Sequence, residues 1–410
     1  MKTLDSFTVY GDETLTKEEL ADYSPSFAIE GVEDFAGAYD FIPNEELDDD
    51  EVMLVRERLI SDPVINDFDE NIDDIMEIDD EDFKSADDNQ PGATADFLWH
   101  HDVMNISDAW TITASGEKAK GEGIIIAHPD SGYIKHSELC RDETRILKDM
   151  QKDFIDKDYD AAYGKASHGL ATASVILGNE EGVIKGIAPM ASLIPMRVAK
   201  VEKFLSPTPV LLGGGMRRLR NAIEHAVKMK ADIISISLGG PRSFRQGKAL
   251  KRAIDRAKQE GVIVMAAAGN RSYVVVYPAR YGNVIAVAAS NNNNSEWVVS
   301  ARGKQVDITA PGEDVWVAKV PKSENDSKIR KSSGTSYSVA NTAGVAALWL
   351  GHWGKSNLIQ TFGGKEKLVD GFVRMLKHSA STDHDLPDSG FGAGIVDAKK
   401  LLELDPAEFA

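Results

Sequence analysis

The sequence contains very little cysteine: among its 410 residues only Cys140 carries a thiol, so a disulfide within the chain is excluded. A single thiol is usual in a reducing compartment, although exported proteins without disulfides also occur. No apolar run is long enough to cross a membrane. The N-terminus passes into acidic sequence, where a secretory signal would need an apolar segment. These absences predict a cytoplasmic protein with no membrane association, and leave open export by a route that needs no signal peptide.

Positive charge is scarce in the first quarter of the chain. Residues 1–96 carry 31 acidic and 5 basic side chains, whereas residues 97–410 carry 35 acidic and 41 basic ones. This break predicts an acidic N-terminal region over residues 1–90 and a second domain over residues 97–405. The acidic region is either a solvated, partly disordered tail, above all over residues 67–88, or a segment that docks on the more basic second domain. Nucleic acid is not expected as a partner of either part.

Beyond residue 97, short apolar runs alternate with amphipathic stretches. The runs are rich in β-branched and small apolar residues, as in strands buried on both faces, and they occupy residues 123–127, 191–198, 232–238, 262–269 and 284–290. Helical periodicity is clearest over residues 216–230 and 247–260. This alternation predicts an α/β fold with a mainly parallel sheet flanked by helices on both faces.

Three polar side chains stand where such a fold places its chemistry, at the carboxyl ends of strands and the starts of helices. Asp130 follows the first predicted strand, His168 opens an apolar helical stretch, and Ser336 precedes a helix of small residues. Each has an ordinary structural interpretation on its own, as a turn former or a helix cap. Their order along a parallel α/β chain favours a shared function.

Four further motifs accompany this order. They are residues 237–241 (SLGGP), 266–270 (AAAGN), 277–281 (YPARY) and 310–312 (APG). With them, most of residues 97–405 resembles the subtilisin-like serine proteases, whose catalytic triad runs in the order Asp, His, Ser.

The resemblance implies a serine endopeptidase that forms an acyl-enzyme. Ser336 would be the nucleophile, His168 its general base and Asp130 the group that orients the imidazole. The side-chain amide of Asn270 and the backbone N–H of Ser336 would form the oxyanion hole. No metal or organic cofactor is implied for the chemistry, and the expected partner is a peptide or protein substrate.

The resemblance also implies a peptide-binding strand and a pocket for the P1 side chain, which precedes the cut bond. The implied substrate-binding residues are Ser237, Leu238, Gly239, Gly269, Arg271 and Val276. Arg271 and Val276 would make the pocket positively charged and short, favouring acidic or small P1 side chains. The alternative is that Arg271 points into solvent.

An acidic loop before His168 is a candidate for structural calcium, which many relatives bind. Its carboxylates are those of Asp153, Asp156, Asp158 and Asp160. Carboxylate oxygens at such spacing can surround a calcium ion. The alternative is a solvated acidic loop.

The resemblance gives the acidic region two candidate roles. It is either a zymogen prodomain, removed by self-cleavage within residues 83–96, or a retained regulatory segment. A different class of function also stays open, namely a binding protein that keeps the protease fold without the activity.

Overall fold

The structure is a computed structural model of the whole chain. The described residues are 4–10, 15–31, 38–45, 47, 49–62, 64–65, 67–72, 96–112, 120–139, 143–156, 158–163, 166–199, 215–240, 248–270, 274–321, 328–387 and 389–410. Cys140 and Arg271 lie outside them, as does most of the predicted cleavage stretch.

The acidic N-terminal region contains a small antiparallel sheet. Its elements are β1 (Leu4–Tyr10), β2 (Phe27–Gly31), β3 (Ala38–Pro43), helix α1 (Asp49–Ser61) and β4 (Asp67–Ile72). The strands lie in the order β2-β3-β1-β4. Phe7, Phe27 and Phe41 form the centre of a separate apolar core beneath this N-terminal sheet. Of the stretch for which a solvated tail was considered, residues 67–72 therefore form a strand, and residues 73–88 lie outside the described part.

The second part of the chain is built on a seven-stranded sheet. Its strands are β5 (Ile125–Asp130), β6 (Lys152–Asp153), β7 (Ser192–Arg197), β8 (Ile233–Ile236), β9 (Ile263–Ala267), β10 (Ile285–Ser290) and β11 (Ile308–Pro311). They lie in the order β11-β10-β9-β8-β5-β7-β6, and every neighbouring pair is parallel. The strand order changes direction at β5, so this strand's carboxyl end is the switch point where α/β folds place their sites.

Helices cover both faces of this sheet, as the sequence predicted. They are α2 (Trp99–Val103), α3 (Ile106–Ala109), α4 (Ser167–Leu177), α5 (Gly215–Lys228), α6 (Lys248–Gln259), α7 (Thr335–Trp353), α8 (Lys355–Phe362), α9 (Lys365–Ser379) and α10 (Ala398–Glu403). Helices α4 and α7 share one apolar core with the sheet, and α5 and α6 share the core on the other face. An antiparallel pair, β12 (Val315–Ala318) and β13 (Ile329–Ser332), leads into α7. The predicted α/β fold is confirmed.

Helix α7 runs through the interior. Every residue from Thr335 to Gly351 is buried. A helix that is apolar all round has no solvent face to offer and must lie inside the protein. Among the described helices, none combines the length and the apolar character that a membrane crossing requires.

One buried ion pair joins the N-terminal sheet to α5. The guanidinium of Arg220 donates to the carboxylate of Asp40 over 3.1 Å, and the hydroxyl of Thr8 donates to the same carboxylate over 2.7 Å. Burial alone would raise the pKa of Asp40, but the adjacent Arg220 outweighs it, so the pKa of this carboxyl is lowered. The contact therefore consists of two charges, each satisfied by the other.

Candidate active site

Three elements bring the predicted triad residues together. Asp130 is the last residue of β5, His168 the second residue of α4, and Ser336 the second residue of α7. The Nδ1 atom of His168 lies 2.8 Å from Asp130 Oδ1, and its Nε2 atom lies 3.1 Å from Ser336 Oγ. The two ring nitrogens thus face a carboxylate and a hydroxyl, which is the arrangement that general-base activation of a serine requires.

The environment of Asp130 keeps its carboxyl ionised. Burial by itself raises the pKa, but His168 and the backbone N–H of Ser131, 2.7 Å from Oδ1, lower it to about 2. The hydroxyl of Thr172 lies 3.4 Å from the other carboxylate oxygen. A permanently charged carboxylate can hold the imidazole in one tautomer and stabilise its protonated form.

The side chain of Asn270 is oriented beside the serine. Its Oδ1 atom accepts from the backbone N–H of Thr335 over 3.1 Å and from the Thr335 hydroxyl over 2.8 Å. Its Nδ2 atom is buried and has no hydrogen-bond partner within the described part of the chain. A buried donor costs free energy when it stays unpaired, so this amide is available to a group that arrives with a substrate.

The predicted peptide-binding strand continues from β8 past the serine. The Ser237 carbonyl oxygen lies 3.3 Å from Ser336 Oγ. The side chain of Leu238 lies in the core beneath α5 and α6, so only its backbone is left to meet a peptide. Three residues beyond Ser237, Gly240 pairs with Tyr277 in an antiparallel bridge.

Val276 fills the space between two glycines beside the serine. A Cβ atom on Gly239 would lie 2.6 Å from Val276 Cγ2, and one on Gly269 would lie 2.9 Å from Cγ1. Gly269 also has a φ of 111°, which favours glycine. Both backbones therefore lie directly against the isopropyl group of Val276.

Comparisons with known proteins agree with this geometry. A family model for subtilases matches residues 121–394. The chain belongs to the subtilase family. It is a subtilisin-like serine protease, and the resemblance inferred from its motifs is confirmed.

Three curated relatives illustrate the similarity of this subtilase to characterised enzymes. The Major intracellular serine protease of Bacillus subtilis (strain 168) is 34% identical over 241 residues, which are 56% of this chain and 69% of that relative. Thermitase of Thermoactinomyces vulgaris is 32% identical over 244 residues, 58% of this chain and 77% of thermitase. The match to Subtilisin E, also from Bacillus subtilis, spans 53% of that relative.

Solved structures share the fold of this subtilase at lower identity. MycP1 with its N-terminal propeptide removed superposes with a TM-score of 0.57 at 22% identity, covering 75% of this chain and 97% of MycP1. The prenylagaramide maturation protease PagA gives a TM-score of 0.55 at 24% identity, covering 73% and 97%.

The predicted calcium loop of this subtilase holds an arginine instead of an open set of carboxylates. Arg197 Nη1 lies 2.6 Å from Asp153 Oδ2 and 2.5 Å from Asp156 Oδ2. Oxygens of Asp158 and Asp160 accept backbone N–H groups nearby. A guanidinium already supplies the positive charge, so these carboxylates do not fit a calcium ion. Over the described ranges, no group of three or more His, Cys, Asp or Glu side chains is arranged to hold a metal.

Sequence reasoning missed three polar groups of this site, namely Ser131, Thr172 and Thr335. Thr172 follows His168 by one helical turn, a spacing that places both on one helix face. Ser131 directly follows Asp130, and Thr335 directly precedes Ser336. Those spacings were the available signals, but serine and threonine are too common beside turns and helix starts for spacing alone to single them out.

Proposed function

We propose that Asp130, His168 and Ser336 carry out the peptide-bond hydrolysis of this subtilase. The observation that supports these roles best is the continuous chain of contacts from the Asp130 carboxylate through the imidazole to the Ser336 hydroxyl. A scaffold that only bound peptides would have no need of a buried carboxylate, a base and a hydroxyl in line.

In the proposed mechanism, Ser336 Oγ attacks the substrate carbonyl carbon while His168 Nε2 takes the hydroxyl proton. The carbonyl oxygen becomes negative and is stabilised by Asn270 Nδ2 and the backbone N–H of Ser336. The imidazolium then protonates the leaving amine, which departs and leaves an acyl-serine. Water attacks this ester with His168 again as base, and the acid product is released as Ser336 regains its proton.

The packing of Val276 supports a preference for small P1 side chains. The pocket would lie beside Ser336, because Gly239 follows Ser237 closely and Gly269 precedes Asn270. Its floor is occupied by the valine methyl groups, which contact both glycine backbones. A large P1 side chain would have to displace them, at a steric cost of about 1–3 kcal/mol. An acidic preference would depend on Arg271 and stays a separate hypothesis.

We further propose that residues 1–90 act as a prodomain of a zymogen and residues 97–405 as the peptidase domain. Support comes from the contact of β4 with α5 and from the ion pair of Asp40 with Arg220. MycP1, which shares the fold, carries an N-terminal propeptide. Self-cleavage would fall within residues 83–96. Similarity to a relative named as intracellular supports a cytoplasmic location.

Labelling with a fluorophosphonate tests the assignment of the nucleophile. The purified wild-type chain and Ser336→Ala are each incubated with the probe, and the products are resolved by SDS-PAGE and mass spectrometry. We expect labelling of the wild type alone, on the peptide that contains Ser336. Absence of labelling in folded wild-type protein, with no hydrolysis of casein, would favour the binding-protein alternative.

The same gel tests self-cleavage. The expected result is a labelled wild-type band that has lost about 90 residues, beside a full-length Ser336→Ala band. A stable, fully labelled wild-type band at full length would contradict obligatory removal and leave the acidic region as a retained segment.

A further inference from the structure

A second buried histidine lies on the same strand as Asp130. His128 and Asp130 are two residues apart on β5, so their side chains point to the same face of the sheet. His128 is 1% exposed. Its Nε2 atom lies 2.9 Å from the Thr172 hydroxyl oxygen and 3.7 Å from Asp130 Oδ2. The imidazole therefore approaches Asp130 Oδ2, an oxygen that also lies 3.0 Å from His168 Nδ1.

The position is costly for an imidazole. The preceding residues of β5 are apolar, and a buried polar group loses free energy unless it is hydrogen-bonded. Burial lowers the pKa of His128; Asp130 opposes this shift and His168 adds to it. Among the described residues, Asp130 on its own strand and His168 on α4 are the charged or titratable groups identified as acting on it. The net direction favours a neutral ring.

The contacts decide which nitrogen of the neutral ring carries the proton. Its Nδ1 atom has no hydrogen-bond partner within the described residues, whereas Nε2 faces the Thr172 hydroxyl. A proton on Nδ1 would be a buried, unpaired donor, so the proton belongs on Nε2. The Thr172 oxygen then accepts from His128, and its own proton is directed at the His168 carbonyl oxygen, 3.0 Å away, or at Asp130 Oδ2, 3.4 Å away.

We propose that His128 and Thr172 form a positioning pair behind the triad: His128 holds the Thr172 hydroxyl, whose one proton goes to the His168 carbonyl oxygen in the first turn of α4 or to the neighbouring Asp130 carboxylate. The proposal rests on the catalytic roles given above to Asp130 and His168. Neither member of the pair touches substrate. Their contribution is to hold the carboxylate where it orients the base, and to place donor dipoles beside its negative charge.

Substitutions at His128 separate positioning from space filling. His128→Leu removes the donor at similar volume, and we expect kcat to fall about 3-fold to 10-fold, the equivalent of one hydrogen bond between neutral groups, with KM unchanged. The acid limb of kcat/KM should move to higher pH, because a less stabilised carboxylate makes its partner imidazole more basic. His128→Gln, whose amide nitrogen can reach the Nε2 position, should recover most of kcat. His128→Asn, which reaches only the Nδ1 position, should not.

Thr172 supplies an independent arm of the experiment. Thr172→Val removes the hydroxyl at constant shape and should lower kcat as His128→Leu does, while Thr172→Ser should keep it. Because the two residues act as one pair, the double substitution His128→Leu with Thr172→Val should cost little more than either alone. His100→Leu is the matched control, since His100 is equally buried but belongs to α2, and it should leave kcat and the pH profile unchanged.

Three outcomes decide the matter. The proposal is supported if kcat falls and the acid limb moves when the donor at the His128 Nε2 position is removed, and if both recover when His128→Gln restores it. It is overturned if His128→Leu and Thr172→Val keep the wild-type kcat and acid limb while only their thermal stability falls, or if the two losses simply add. Active-site titration with the fluorophosphonate accompanies each measurement: an unlabelled wild type would refute the catalytic roles themselves, a result distinct from labelled variants with unaltered kinetics.

Discussion

Removing the side chain of Val276 is expected to open the P1 pocket. The valine methyl groups occupy the gap between the backbones of Gly239 and Gly269, where Cβ atoms would lie only 2.6 and 2.9 Å from them. Val276→Gly deletes three carbons and leaves their volume to a substrate side chain. At about 0.8 kcal/mol for each buried CH₂ group, three carbons correspond to about 2.4 kcal/mol. This free energy equals a change of ~60-fold in kcat/KM.

The assay compares two peptides that differ only in their P1 residue, leucine or alanine. The ratio of their kcat/KM values should rise about 60-fold in Val276→Gly, and about 15-fold in Val276→Ala, which frees two carbons. Val275→Ala is the control, because the Val275 side chain lies in the core beneath α5 and α6. It should lower stability and leave the ratio unchanged. A ratio within threefold of wild type in Val276→Gly would refute the pocket assignment.

Other expectations follow from the oriented amide and the buried ion pair. Asn270→Ala should lower kcat by about 10²-fold to 10³-fold, a magnitude taken from subtilisin itself, as measured by active-site-titrated peptide hydrolysis. Thr335→Val deprives Asn270 Oδ1 of one donor and should lower kcat about tenfold at constant KM; an unchanged kcat would show that the backbone N–H alone orients the amide. Arg220→Met leaves Asp40 buried without its cation and should cost about 3–5 kcal/mol in chemical denaturation; a loss below ~1 kcal/mol would mean that the pair is solvated. Because the pKa of Asp40 is lowered by folding, the pair's contribution is complete above the ordinary carboxyl range, near pH 4, and is lost as pH falls through the lowered value. A denaturation midpoint that already falls between pH 8 and pH 6 in wild type but not in Arg220→Met would contradict this origin.

The sheet of the peptidase part was predictable because its strands are buried on both faces. Strands β5 and β7 to β10 begin within two residues of the predicted runs. By contrast, β6 contains only two residues, too few to leave a pattern. The N-terminal sheet was missed because acidic residues dominate its sequence and its inward positions, such as Phe7 and Val9, are few. The many charged residues there made the alternation of apolar and polar positions hard to recognise, although the apolar positions pack together in the folded sheet.

The candidate site shows the same division between local and long-range signals. The triad residues and Asn270 stand in motifs whose order along the chain is distinctive. Arg197 is different, because it lies 44 positions from Asp153 in the sequence. No local pattern predicts that its guanidinium will occupy the place proposed for a calcium ion. The proposed role of His128 also could not be predicted from the sequence, because it depends on which helix covers that face of β5.

Because α7 is buried from Thr335 to Gly351, the proposed nucleophile is mounted on a helix that the surrounding core holds in place. A rearrangement that moved Ser336 by even 1 Å would have to displace side chains packed around the helix for most of its 19 residues. Adaptation to different substrates is therefore left to the loops and to the bound peptide. Laboratory evolution of this scaffold should accordingly accept insertions at the loops that border the cleft, while substitutions along α7 should be lost from active libraries whichever substrate is selected.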